Sequence, residues 1–150
     1  MRLQRILAYT TAALLAAQVL IVLWGVITRK LLNAPATWTG EMASYLLIWI
    51  ALLGAAYASS HQAHISIELL PQRLEPEKRR RLYRLIDSLV LLFALLVMVI
   101  GGGYYVYMTL MLGQRAPGLG IPKGLIYIVA PLAGLCIIYF KQKDIRHGRV

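Results

Sequence analysis

Reactive groups are scarce in this chain of 150 residues. There is one cysteine, Cys136. It excludes an internal disulfide and any dithiol redox chemistry, and it reads as a small apolar packing residue. No pair of histidines falls within a long apolar run, which argues against a haem held between two helices. There is no Ser–His–Asp set, glycine-rich nucleotide loop or metal cage. Acidic residues number six against sixteen Lys and Arg. None of them sits at the centre of an apolar run, where a four-helix proton-coupled exporter needs one. Charged residues make up only 15% of the chain and hydrophobic ones 59%. That balance excludes disorder and argues against an ordinary water-soluble domain. Nothing here points to an enzyme, a cofactor or a bound metal.

What fills the chain is four long apolar runs, at about 6–28, 41–58, 85–112 and 121–140. A bilayer core about 30 Å thick needs about 20 helical residues to cross it. The expected fold is therefore an all-α membrane protein, one domain over 1–150 with four transmembrane helices. Arg2 and Arg5 precede the first run as in a secretory signal. The run continues to Ile27, too far for a signal core, and Leu14 and Leu15 spoil the cleavage pattern before Ala16 and Ala17. We read an uncleaved first helix. The net charge of +10 does not indicate nucleic acid, because the basic residues cluster at the ends of the apolar runs. Twelve Lys and Arg fall in the two tails and the loop after run two, against four in the other two loops. The positive-inside rule then puts both tails and the long middle loop in the cytoplasm. Trp24, Trp38, Tyr104, Tyr105 and Tyr107 lie towards the opposite, outer interface, where such rings are favoured.

Local features add detail. Ala12 with Ala16, and Ala13 with Ala17, are spaced for close helix packing. Thr39 is a plausible N-cap for helix two, with Glu41 in its first turn, where the dipole favours an anion. Glu41 could alternatively reach a partner subunit or an ion path. Gly54, Ala55, Ala56 and Ala58 give helix two a smooth late surface for another helix, in this chain or another. The loop His61-Gln62-Ala63-His64-Ile65-Ser66-Ile67-Glu68 reads as a cytoplasmic amphipathic segment at the interface. His61, His64 and Glu68 are ligand types, yet no fourth ligand is evident, and polar anchoring of the loop is the better reading. From Glu77 one helix can run to Leu112, about 54 Å for 36 residues. Its first turns then project into the cytoplasm, with Arg79, Arg80 and Arg81 among lipid headgroups. Arg84 is one turn from Asp87 and is its expected ion-pair partner. The three glycines 101–103 could kink this helix or let a neighbour approach, and Pro131 should kink helix four. Lys123 can snorkel outward.

The stretch Trp38-Thr39-Gly40-Glu41, then Tyr45-Leu46-Leu47-Ile48-Trp49, Gly54-Ala55-Ala56-Tyr57 and His64-Ile65-Ser66-Ile67-Glu68-Leu69-Leu70 resembles a known family. Gly120-Ile121-Pro122, Tyr127 and Pro131-Leu132-Ala133-Gly134 extend the likeness, in order, over nearly the whole chain. It is similar to the small membrane subunit (DctQ type) of tripartite ATP-independent periplasmic (TRAP) transporters. Lys123-Gly124 departs from the pattern, where a bulkier or aromatic residue is expected. The resemblance implies a bacterial inner-membrane protein that pairs with a large DctM-type subunit holding the substrate and sodium sites. It implies a periplasmic DctP-type binding protein that delivers an organic acid, with uptake driven by an ion gradient. The large subunit would move as an elevator, and the small one would widen its stationary scaffold within the phospholipid bilayer. Candidate interface residues are Trp38, Glu41, Tyr45, Trp49, Gly54, Ala58, His64 and Glu68. The alternative is an independent oligomeric small exporter or channel.

Overall fold

The structure is a computed structural model and describes residues 2–31, 34, 36–60 and 76–146. It contains α1 (Arg2–Lys30), α2 (Thr37–Ser60), α3 (Pro76–Phe93), a π-helical segment (Ala94–Gly101), α4 (Gly102–Met111), α5 (Lys123–Tyr127) and α6 (Val129–Arg146). α3, the π segment and α4 run on as one rod. α5 and α6 form a second rod, interrupted at Ile128. Four helices are therefore long and apolar enough to cross a membrane.

They pack in the order α1, α2, α5–α6, and then the rod of α3, π segment and α4. Helix four, the α5–α6 rod, thus lies between helices two and three. In its apolar window 39% of residues are buried, against 6% in α1. Its inner face, Val129, Ala133, Ile137 and Phe140, forms the core with Leu53 and Ala56 of α2 and Ala94 and Met98 of the π segment. Gln4 donates from its Nε2 to the Ser60 carbonyl at 3.0 Å, so α1 and α2 are antiparallel. Lys141 meets Asp87, and Gly124 meets Leu110, so helices three and four are antiparallel too. The first turns of α1, the end of α2, the start of α3 and the end of α6 share one end of the bundle. The 112–122 loop and the start of α2 share the other.

The seam between α1 and α2 is a heptad stripe. Gln4, Leu7, Thr11, Leu14, Gln18, Ile21, Gly25 and Thr28 step by three and four and are all at least half-buried. A 3.5-residue period keeps one stripe facing a partner helix. The expected alanine pairs do not make this seam. Ala12, Ala13 and Ala16 are exposed, because they fall between the stripe positions. Thr11 Oγ1 and Gln18 Oε1 are buried within the stripe's helix and have no hydrogen-bond partner among the described residues.

Among the three glycines of helix three, Gly102 lets helix four approach closely: a Cβ there would lie 3.2 Å from the Ala130 Cβ. The winding of helix three changes at Ala94 and reverts to α at Gly102. Val90, Ala94, Met98, Gly102 and Val106 are all half-buried or buried, every fourth residue. In an α-helix each such step drifts by about 40°. In the wider i→i+5 turn the same step falls short of a full turn, so its drift runs the other way and offsets that of the flanking α turns. The Gly102 N–H reaching back to the Val97 carbonyl is one bond of that kind. The π winding therefore holds Ala94, Met98 and Gly102 against helix four. Pro131 acts there as expected. It has no N–H for the Tyr127 carbonyl, and the helix is interrupted at Ile128.

Two further expectations are corrected. α2 begins at Thr37, two residues before the expected cap. Thr39 instead donates its hydroxyl to the Ala36 carbonyl at 2.7 Å, one turn back. The partner of Asp87 is Lys141, not Arg84: Nζ lies 2.6 Å from Oδ1, while Arg84 is exposed. A helical side chain leans towards the N-terminus, so Arg84 points away from a residue one turn after it. Lys141 comes from the opposite, antiparallel rod.

Candidate functional site

Trp38 and Glu41 lie where the start of α2 meets the 112–122 loop. That loop is a tight hairpin. Ala116 N–H donates to the Ile121 carbonyl at 2.9 Å, and Lys123 N–H to the Gln114 carbonyl at 2.9 Å. Ala116 is buried, and Pro117 and Gly118 are exposed at the tip. Glu41 Oε2 accepts from the Gly118 N–H at 2.9 Å. A Cβ on Gly118 would lie 3.0 Å from that same oxygen and 3.5 Å from the Trp38 Cα, so the loop backbone lies directly on α2. Glu41 lies past the first turn of α2, and its ordered contact is this loop.

One turn and two turns further along the same face stand Tyr45 and Trp49. Trp49 donates from Nε1 to the Ile126 carbonyl at 2.8 Å, across to helix four. Close by, the rings of Tyr105 and Tyr127 meet edge to face with centroids 4.9 Å apart. Glu41 and Trp49 are thus engaged within the chain. They join helix two to helix four and to the loop before it. Gly124, where a larger residue was expected, is buried. A Cβ there would overlap Leu110 Cγ, so Leu110 fills that volume from the facing helix.

Gly54 and Ala58 lie on the other side of α2. A Cβ on Gly54 meets no atom within 4 Å. Ser44, Leu47, Ala51, Ala55 and Ala58 are exposed beside it, on spacings of three and four. Among the described residues nothing covers that stripe. His64 and Glu68, with the amphipathic segment that contains them, lie outside the described residues. So do the side chains of Arg79 and Arg80; their backbone belongs to α3, and Arg81 is exposed on it. Among the described residues, no three of His, Cys, Asp and Glu gather as metal ligands.

The buried ion pair went unread in the sequence because its members are 54 residues apart. The one available signal was Lys141, which directly follows Phe140 at the end of the last apolar run. At the opposite end of the bundle from Glu41, Asp87 is 8% and Lys141 2% exposed, so both charges are held away from solvent.

The sequence matches the family model for the DctQ component of tripartite ATP-independent periplasmic transporters over residues 18–146. The chain belongs to the DctQ family. It is a small permease subunit of a TRAP transporter. It is 30% identical to a Haemophilus influenzae chain named as a TRAP transporter small permease protein, over 83% of this chain and 76% of that one. It is 26% identical to the sialic acid TRAP transporter small permease protein SiaQ of Vibrio cholerae, over 79% of this chain and 72% of the relative. It is also 28% identical to part of the isethionate TRAP transporter permease protein DctMQ of Oleidesulfovibrio alaskensis. That match covers 73% of this chain but 17% of the longer protein.

Proposed function

We propose that this subunit is a static brace for a large DctM-type permease in the bacterial inner membrane. The observation that carries the reading is the DctMQ relative, in which a segment like this chain is part of a much longer permease polypeptide. A covalent link of that kind suits two parts that work as a fixed pair. A carrier that moves within the bilayer needs a partner that does not move with it. A single row of four helices suits that task, because it exposes broad flanks to a neighbour. Both tails lie in the cytoplasm in this reading, with the basic start of α3, including Arg79, Arg80 and Arg81, among anionic headgroups. The loop 112–122 then faces the periplasm, held by Glu41, and forms part of the platform for a DctP-type binding protein. The cargo is an organic acid, taken up with sodium. Sialic acid and isethionate, named for two relatives, are both organic acids. The chain itself carries no catalysis and never touches the cargo.

The stripe of α2 around Gly54 and Ala58 is the surface that meets the large subunit, with Trp38 at its outer margin, and His64 and Glu68 contact the same partner. Small residues let helix backbones approach closely in lipid. The test is Gly54→Leu with Ala58→Leu, co-purified with the large subunit. Overfilling a packed interface costs about 1–3 kcal/mol, or roughly tenfold or more in affinity. Recovery of the pair and uptake should fall together. Unchanged recovery removes this face from the interface. The chain reconstituted alone should move no solute; solute movement by it alone would favour the independent exporter or channel.

A further inference from the structure

We infer that Thr11 and Gln18 of α1 are hydrogen-bonding handles for a membrane-spanning helix of the large permease subunit, seated along the groove between α1 and α2. The seam of α1 has two edges, each repeating every seventh residue. Leu7, Leu14, Ile21 and Thr28 form one edge. Leu7 belongs to the core cluster with Leu53 and Ala56 of α2, and Leu14 packs against that cluster. Gln4, Thr11, Gln18 and Gly25 form the other edge. Its two ends are engaged inside the chain: Gln4 donates to the Ser60 carbonyl, and Gly25 lies against Thr39. Its two middle members differ. Thr11 Oγ1 and Gln18 Oε1 are buried and have no hydrogen-bond partner among the described residues. Thr28, Thr39 and Thr109 each donate to a carbonyl three or four residues back, so Thr11 stands apart from them.

Gln18 falls near the middle of the 29-residue α1. At that depth neither water nor lipid tails supply a hydrogen-bond donor. An amide left alone there is destabilising, and such a group calls for a physical reason. A further helix supplies one, because Gln and Thr side chains hydrogen-bond across helices in lipid. The two groups are two helical turns apart, about 10.5 Å. One helix can therefore meet both, with a hydroxyl or amide at each of two positions seven apart. Gln18 as a residue is half-buried, so rotation of its side chain alone turns the amide outwards. The polar edge also borders the stripe of α2 around Gly54. In helical projection Thr39, which touches Gly25, falls between Leu53 and Gly54. α1 rests between these two directions, with Leu7 and Leu14 on the Leu53 side and Thr11 and Gln18 on the Gly54 side. A single neighbour then covers both surfaces. The identity of that neighbour rests on the bracing role proposed above.

The test sets stability against pairing. Thr11→Val with Gln18→Leu removes both handles and nearly keeps the side-chain volumes. The purified subunit carrying both should melt at or above the parent temperature, since no hydrogen bond within it is lost. Its recovery in co-purification with limiting large subunit should fall about threefold per handle, roughly tenfold for the two. Thr11→Ser keeps the hydroxyl and should pair as the parent does. A merely structural role moves melting and pairing together, so a lower melting temperature for the double variant overturns the inference. Unchanged recovery overturns it as well. So does loss of a dimer of the subunit alone with pairing intact, which gives the handles to a second copy. Gly54→Leu with Ala58→Leu, measured beside it, keeps the two readings apart. If that pair lowers recovery and the α1 pair does not, the inference drawn from α1 fails and the α2 face stands. If the α1 pair lowers recovery and the α2 pair does not, the handles stand and the α2 face fails.

Discussion

Trp49 and Glu41 each join helix two to a distant part of the chain through one hydrogen bond. Trp49→Phe removes the N–H to the Ile126 carbonyl together with one ring of the indole. A hydrogen bond within a membrane bundle contributes about 0.5–1.5 kcal/mol. The melting temperature in detergent should fall by roughly 2–4 °C per kcal/mol lost. Glu41→Ala frees the Gly118 N–H. That amide is exposed and can turn to water, so the chain's stability should fall by less than about 1 kcal/mol. The clearer readout is the loop: a thiol-specific label on Leu119→Cys should react faster in Glu41→Ala than in the parent. Gln18 is the converse case. Its Oε1 is buried without a partner. Gln18→Leu should raise the melting temperature, since an unsatisfied buried acceptor costs about 1–3 kcal/mol. The ends of these contacts were hard to read in the sequence. Glu41 was recognised as a residue of interest, but Gly118 is 77 positions away and contributes only a backbone N–H. Nothing in a glycine codon context announces a donor aimed at a carboxylate.

At the scale of the helices, two glycines make opposite predictions. Gly134 faces Met98 and Val99 at contact distance, and Gly54 faces nothing among the described residues. Gly134→Leu should destabilise the isolated subunit by about 1–3 kcal/mol or more, through overpacking. Gly54→Leu should leave its unfolding unchanged within about 0.5 kcal/mol. Thermal unfolding of the two purified variants checks the contrast. Length and apolarity made all four spans legible, and Pro131 announced the break in helix four. The π winding of Ala94–Gly101 was not legible, since its residues are ordinary apolar ones. It arises because every fourth residue must face helix four, and that constraint belongs to the pair of helices. The same reason hid the α1 seam. Its heptad positions alternate polar and apolar residues, so the alanines stood out while Gln4, Thr11 and Gln18 carried the stripe.

The whole molecule is a row of helices with both tails at one end. Cysteines placed at Arg5 and Lys143 should be labelled from the same face of inverted membrane vesicles, and one placed at Pro117 from the other face. The row also has an awkward order of synthesis. The element that fills its middle is the last of the four to leave the ribosome. Until then the first two helices can settle as a hairpin, but the third has no neighbour and must wait in the lipid, its Asp87 without a counter-ion. Assembly must therefore end with late insertion of helix four into a gap held open for it. Nascent chains stalled before Lys123 should be the ones that membrane proteases clear fastest.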